Sequence, residues 1–153
     1  MIISLKRAFI ISPYRAMRED GSLDEERFKA NRLYTYSLCH YAFAAGYSPF
    51  AGHLHYTQFL DDNDAKDRQF GMEAAYVWMA SLHPKQDRVF CGLDRGVSDG
   101  MRRDLKQVED LGLTLQYIWS GSQLITGDHA HKLSLPHAHL PCAACTDAQP
   151  KST

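Results

Sequence analysis

Short apolar runs alternate with helix-patterned segments along residues 1–120, and that alternation constrains the fold more than any other property of the chain. Residues 7–12, Arg-Ala-Phe-Ile-Ile-Ser, form a continuous apolar run of the kind found in strands buried on both faces. The run stops at Pro13, which cannot donate to a strand ladder. Residues 47–55 form a second strand with irregularities at Pro49 and Gly52, residues 88–92 a third and residues 113–119 a fourth. Between them, residues 24–45 are helical. Ser22 and Glu25 make a capping box, Phe28, Leu38, Tyr41, Ala42 and Ala45 lie at helical spacing, and Gly46 is the stop. A second helix over residues 68–82 carries Phe70, Met72, Ala75, Val77, Trp78 and Met79 and is broken at His83-Pro84. A third ends near Gly112. Strand and helix in alternation predict a parallel sheet covered on both faces, an α/β three-layer sandwich with right-handed crossovers.

The 153 residues suffice for one domain with a single substantial core. A net charge of −1 and the lack of any long basic run argue against a polymeric nucleic-acid partner. No apolar run approaches a membrane span, and the N-terminus lacks the order of a secretory signal, so the expected location is the cytoplasm. Cys39 and Cys91 fall in helix and strand patterns and read as small buried hydrophobes. The domain is therefore residues 1–120. Residues 121–153, rich in His, Pro, Ala, Ser and Thr with no sustained period, read as an irregular tail whose end is disordered.

In a parallel sheet, ligands sit beyond the carboxyl ends of the strands. Residues 12–14, 53–56 and 94–101 meet there. The most chemically suggestive stretch is Asp94-Arg-Gly-Val-Ser-Asp-Gly-Met-Arg-Arg-Asp104. Strand, glycine-containing turn and helix in that order present backbone N–H groups and Ser98 at a helix N-terminus, where phosphates and carboxylates are held. Asp94, Ser98, Gly100 and Met101 form the ligand-facing side of this turn. Asp104 follows one to two helical turns later on the same wall. Two readings stand for Asp104: a carboxylate pointing into a pocket, or a solvated helix residue among Arg102, Arg103 and Lys106. Ser98 is equally a plain N-cap.

Tyr14 either stacks on a ligand and reaches the Asp104 carboxylate with its hydroxyl, or packs over the sheet edge. His53 and His55 share a face if residues 47–55 are extended, but no third metal ligand lies nearby, so a hydrogen-bonded site histidine is favoured over metal. The acidic stretch Asp61-Asp62-Asn63-Asp64 lacks the Gly and Glu of a calcium-binding EF-hand and reads as a solvated loop or lid. In the tail, His137, His139, Cys142 and Cys145 offer a compact set of zinc ligands; such a site would be structural. No cofactor is otherwise expected.

These residues together resemble the nucleoside 2-deoxyribosyltransferase-like superfamily, in particular its small, often phage-encoded members. The resemblance is carried by Ile11-Ser-Pro-Tyr14, Asn31, Gly46-Tyr-Ser-Pro with His53, residues 56–64, and Ser98-Asp-Gly-Met101, and spans residues 7–119. It implies a flavodoxin-like Rossmannoid sheet, a nucleoside or nucleotide ligand, and cleavage or transfer of the N-glycosidic bond by a helix carboxylate six residues after a Ser or Asp. Counting from Ser98 gives Asp104 as that nucleophile. Ser98 corresponds to the contact with a 5′-phosphate, and Ser12, Pro13, Tyr14 and Arg15 line the sugar and phosphate side. The superfamily uses Glu where this chain has Asp104, and places a proton-delivering acid where this chain has Ala75, with Glu73 out of register. A binding protein that sequesters a nucleotide without turnover is the alternative. The resemblance further implies a homodimer or larger homo-oligomer and, for a phage-encoded member, the host cytoplasm.

Overall fold

The computed structural model describes residues 5–119. The tail from residue 121, with His137, His139, Cys142 and Cys145, lies outside the described residues.

The chain runs β1 (Lys6–Ile11), α1 (Glu25–Ala44), β2 (Tyr47–Phe50), α2 (Gly52–Tyr56), α3 (Ala65–Ala80), β3 (Arg88–Gly92), α4 (Asp99–Asp110) and β4 (Leu115–Ile118). The strands form one sheet in the order β2-β1-β3-β4, and every adjacent pair is parallel. Consecutive residues of the central strands face opposite layers. Ala8, Ile10, Phe90 and Ile118 pack under α1 with Tyr34, Leu38 and Tyr41. Phe9, Ile11, Val89 and Cys91 pack on the other face with Met79 of α3 and Met101 and Val108 of α4. Both faces of β1 and β3 are dry, which is why their sequences are continuous apolar runs and not alternating ones. The expected three-layer α/β architecture is what the chain adopts.

Three local expectations need correction. Residues 51–55 are not extended: β2 ends at Phe50, and α2 begins at Gly52. His53 and His55 therefore lie on a short helix and do not share a strand face. Gly52 permits a close approach there, since a Cβ on it would stand 2.9 Å from the Ala75 Cβ. The second long helix starts earlier than its apolar pattern, at Ala65, because the Asp64 carboxylate caps it by accepting from the N–H groups of Lys66 and Asp67. At α1 the cap is Asp24, which accepts from the Arg27 N–H; Ser22 is turned instead toward Asp20.

The loops after β1 and β3 leave the sheet from adjacent central strands toward opposite layers, so the chain diverges between them. That divergence opens a crevice at the carboxyl edge of the sheet, the general location of ligand sites in open α/β folds.

Candidate functional site

A cavity of about 560 Å³ fills this crevice, within the range of roughly 300–1,000 Å³ typical of small-molecule sites. The β1 turn contributes Ser12, Tyr14 and Arg15, α2 contributes His53, the loop before α3 contributes Asp62, and α4 contributes Ser98, Gly100, Met101 and Asp104. Its floor is made of small residues, Gly52, Gly71 and Ala75.

Asp104 points into this space. Burial pushes its carboxyl up from 3.8 to about 6, against the opposing pull of the Tyr76 hydroxyl and the Arg103 guanidinium. The tyrosine beside the candidate nucleophile is thus Tyr76 of α3, whose own hydroxyl is driven up to about 12 by burial and by the neighbouring carboxylate. Tyr14 does something else. Its hydroxyl donates to Thr57 Oγ1 at 2.9 Å, and its ring packs edge-on against Phe28 and obliquely on His53. It lines the cavity without serving Asp104.

Ser98 is the N-cap of α4. Its Oγ accepts from the Met101 N–H at 3.3 Å, while the Ser98 N–H meets Met101 Sδ at 3.5 Å. Capping and cavity lining coincide at this residue. Asp94 does not line this cavity; its carboxylate accepts from the buried Tyr34 hydroxyl at 2.6 Å, and its N–H donates back to that oxygen.

Behind the β1 turn is a compact polar cluster. Ser12 Oγ lies 2.7 Å from Thr35 Oγ1, and His53 Nε2 lies 3.3 Å from both oxygens. Burial pushes the His53 imidazole down to about 4, so the ring is neutral near pH 7 and acts as a hydrogen-bonding spacer. His55 is exposed beside the rings of Phe50, Tyr56 and Phe59. Among the described residues, no group of three or more His, Cys, Asp or Glu is placed to hold a metal ion.

Arg15 bridges the two sides of the cavity mouth. It donates to the Asp62 carbonyl and to Asn63 Oδ1, each at 3.0 Å, and pairs with the Asp62 carboxylate at 3.4 Å. Arg68 stands 3.9 Å from the same carboxylate. Burial raises Asp62 while the two arginines oppose that rise. The acidic stretch thus forms one rim of the cavity, latched to the β1 turn.

Residues 6–118 match a protein family described as a domain of unknown function, DUF7768. The chain belongs to that family. Searches of curated proteins and of solved structures returned no match. The DUF7768 match begins at the first residue of β1 and ends at the last residue of β4. It therefore coincides with the sheet and its helices, and the cavity lies entirely within it.

Several residues in and beside this cavity escaped sequence reasoning. Tyr76, an aromatic on a helix face, reads as core. Arg68 and Gly71 carry no local motif, and only the folded crevice gathers them with Thr57 and Arg103.

Proposed function

We propose that this protein cleaves the N-glycosidic bond of a deoxynucleoside or its 5′-monophosphate, with Asp104 as the nucleophile. One observation carries the proposal: a half-buried carboxylate, raised to about 6, faces a nucleoside-sized cavity beside a helix N-terminus. The resemblance to nucleoside 2-deoxyribosyltransferase-like proteins points the same way, since it arrives at Asp104 by counting from Ser98. Perturbed carboxyl groups in clefts are frequent among catalytic residues.

Chemically, an ionised Asp104 oxygen attacks the anomeric carbon as the C–N bond breaks through an oxocarbenium-like transition state, and the bonding electron pair leaves with the base. The departing base takes a proton from solvent water, since Ala75 supplies none, and a glycosyl ester forms on Asp104. Water hydrolyses the ester, or a second base displaces it, restoring the carboxylate. Tyr76 steadies the carboxylate, and Ser98 with the first N–H groups of α4 receives a 5′-phosphate. Neutral His53 with Ser12 and Thr35 shapes the sugar side.

Ala75 supports a second assignment, a nucleotide-binding protein without turnover. It lines the cavity where the superfamily carries its proton-delivering acid, while Glu73 does not line it and accepts from Gln69 instead. Assembly as a homodimer or larger homo-oligomer belongs to the same proposal: Leu33, Tyr36 and Phe43 stand exposed along α1, an apolar stripe suited to a partner copy.

The test is incubation with a panel of deoxynucleosides and 5′-monophosphates, with free base followed by chromatography. Release is expected from the natural chain, rising as pH climbs through about 6 while Asp104 ionises, and lost in Asp104→Asn. Base release undiminished in Asp104→Asn sinks the assignment. Tight binding with no release supports the sequestering protein.

A further inference from the structure

A second cavity of about 410 Å³ adjoins the first, bordered by Arg15, Arg27, Asn31, Arg95 and the turn leading into α4. Arg15 and Ser98 form walls of both cavities. The second holds three arginines and no carboxylate on its walls. Of these, Arg15 is already paired with Asp62. No ion pair among the described residues neutralises Arg27 or Arg95.

Arg95 is also oriented. Asn31 is buried at 5% exposure; its Oδ1 accepts from Arg95 Nε at 2.6 Å and its amide donates to the Tyr14 carbonyl at 3.1 Å. The same buried amide thus sets Arg95 relative to the β1 turn through Nε alone, and no hydrogen bond among the described residues occupies the guanidinium's terminal amino groups. Planar guanidinium groups bind phosphoryl oxygens in forked pairs. A site with two uncompensated guanidiniums and no acid suits a group of about −1 to −2 charge.

We propose that this second cavity takes the distal phosphoryl group of a nucleoside 5′-diphosphate, resting on the nucleotide assignment of the main cavity. The nucleoside occupies the main cavity. The first phosphoryl group lies at the shared wall by Arg15 and Ser98, and the second reaches Arg27 and Arg95. The preferred ligand is therefore a diphosphate over a nucleoside or a monophosphate.

Calorimetric titration tests this with deoxynucleoside 5′-monophosphates and 5′-diphosphates of each base, in metal-free buffer at fixed salt. The ratio of the two affinities is the readout. For the best-bound base, the diphosphate is expected to bind about tenfold tighter or more, the worth of one charge-assisted hydrogen bond. The ratio falls toward one in Arg27→Gln/Arg95→Gln. It falls in part in Arg27→Gln alone, a change at an exposed side chain outside the Asn31 network. A ratio of one in the natural chain, or a ratio kept in the double variant, overturns the proposal. Base release from monophosphates, followed in parallel, separates the two assignments. Release without a diphosphate preference removes the second-cavity assignment alone. A diphosphate preference without release supports the second cavity and removes the glycosidase. Absence of binding by every ligand overturns both.

Discussion

Replacing Asp104 by Asn should stabilise the folded protein at alkaline pH and leave it unchanged only well below pH 4. Burial raises the Asp104 carboxyl from 3.8 to about 6. In the folded state the group therefore binds its proton more tightly than in the unfolded chain. Well below 3.8 both states are protonated and nothing is lost; near pH 4 the unfolded chain has begun to ionise and a small part of the cost is already present. As pH climbs toward 6 the cost of holding a half-buried charge develops, and above 6 it is complete. The full shift corresponds to about 3 kcal/mol, which water at the cavity mouth screens to about 2 kcal/mol. Asn keeps the shape and an acceptor for the Tyr76 hydroxyl but carries no charge. The variant should melt roughly 5–10 °C higher at pH 8, with the gain shrinking to a small remainder by pH 4. Differential scanning calorimetry of both proteins at matched pH between 4 and 8 measures this directly. The difference between the two proteins is the readout, because His53 works in the opposite direction in the natural chain. Its depressed imidazole contributes stability above 6.5 that is lost as pH falls toward about 4, masking the Asp104 trend. A variant no more stable than the natural chain at pH 8, or a gain independent of pH, would refute the claim that Asp104 is desolvated in the cavity.

Two further outcomes follow from the same geometry. Gly92→Ala would place a Cβ 2.4 Å from the Tyr34 hydroxyl and 2.6 Å from Leu38 Cδ1, so urea unfolding should show a loss of about 1–3 kcal/mol, and an unchanged midpoint would contradict the packing of α1 against β3. NMR titration should find the His53 imidazole neutral down to about pH 4 while His55, exposed on α2, is followed as an internal comparison; a His53 midpoint above 6 would remove the buried Ser12–Thr35–His53 cluster.

The strands most legible in the sequence are the two central ones. β1 and β3 bury both faces, so an uninterrupted apolar run could mean little else at that length. The segment Gly52–Tyr56 was misleading for a physical reason. Five residues are too few to separate a period of two from one of 3.6, and its helical form depends on the approach of Gly52 to Ala75, a contact between segments. The acidic stretch at 61–64 read as a solvated loop or lid and Asp62 lines the cavity, but the start of α3 lay in one capping carboxylate, Asp64. Asp104 and Ser98 were legible because strand, turn and helix place them by local geometry. Asp94 stands in the same stretch, yet its partner Tyr34 comes from 60 positions earlier. Arg27 and Arg95 are likewise brought together only by the fold, through the turn that Asn31 ties down.

The central claim is that Asp104 forms a bond to the sugar. A deoxynucleoside fluorinated at the 2′-carbon slows hydrolysis of the ester by destabilising the oxocarbenium-like transition state, so the intermediate should accumulate. Mass spectrometry of the protein digested after incubation is expected to find one fluorinated glycosyl group on the peptide containing Asp104, absent in Asp104→Asn. An adduct on another residue, or base release with no adduct on Asp104, would contradict the account.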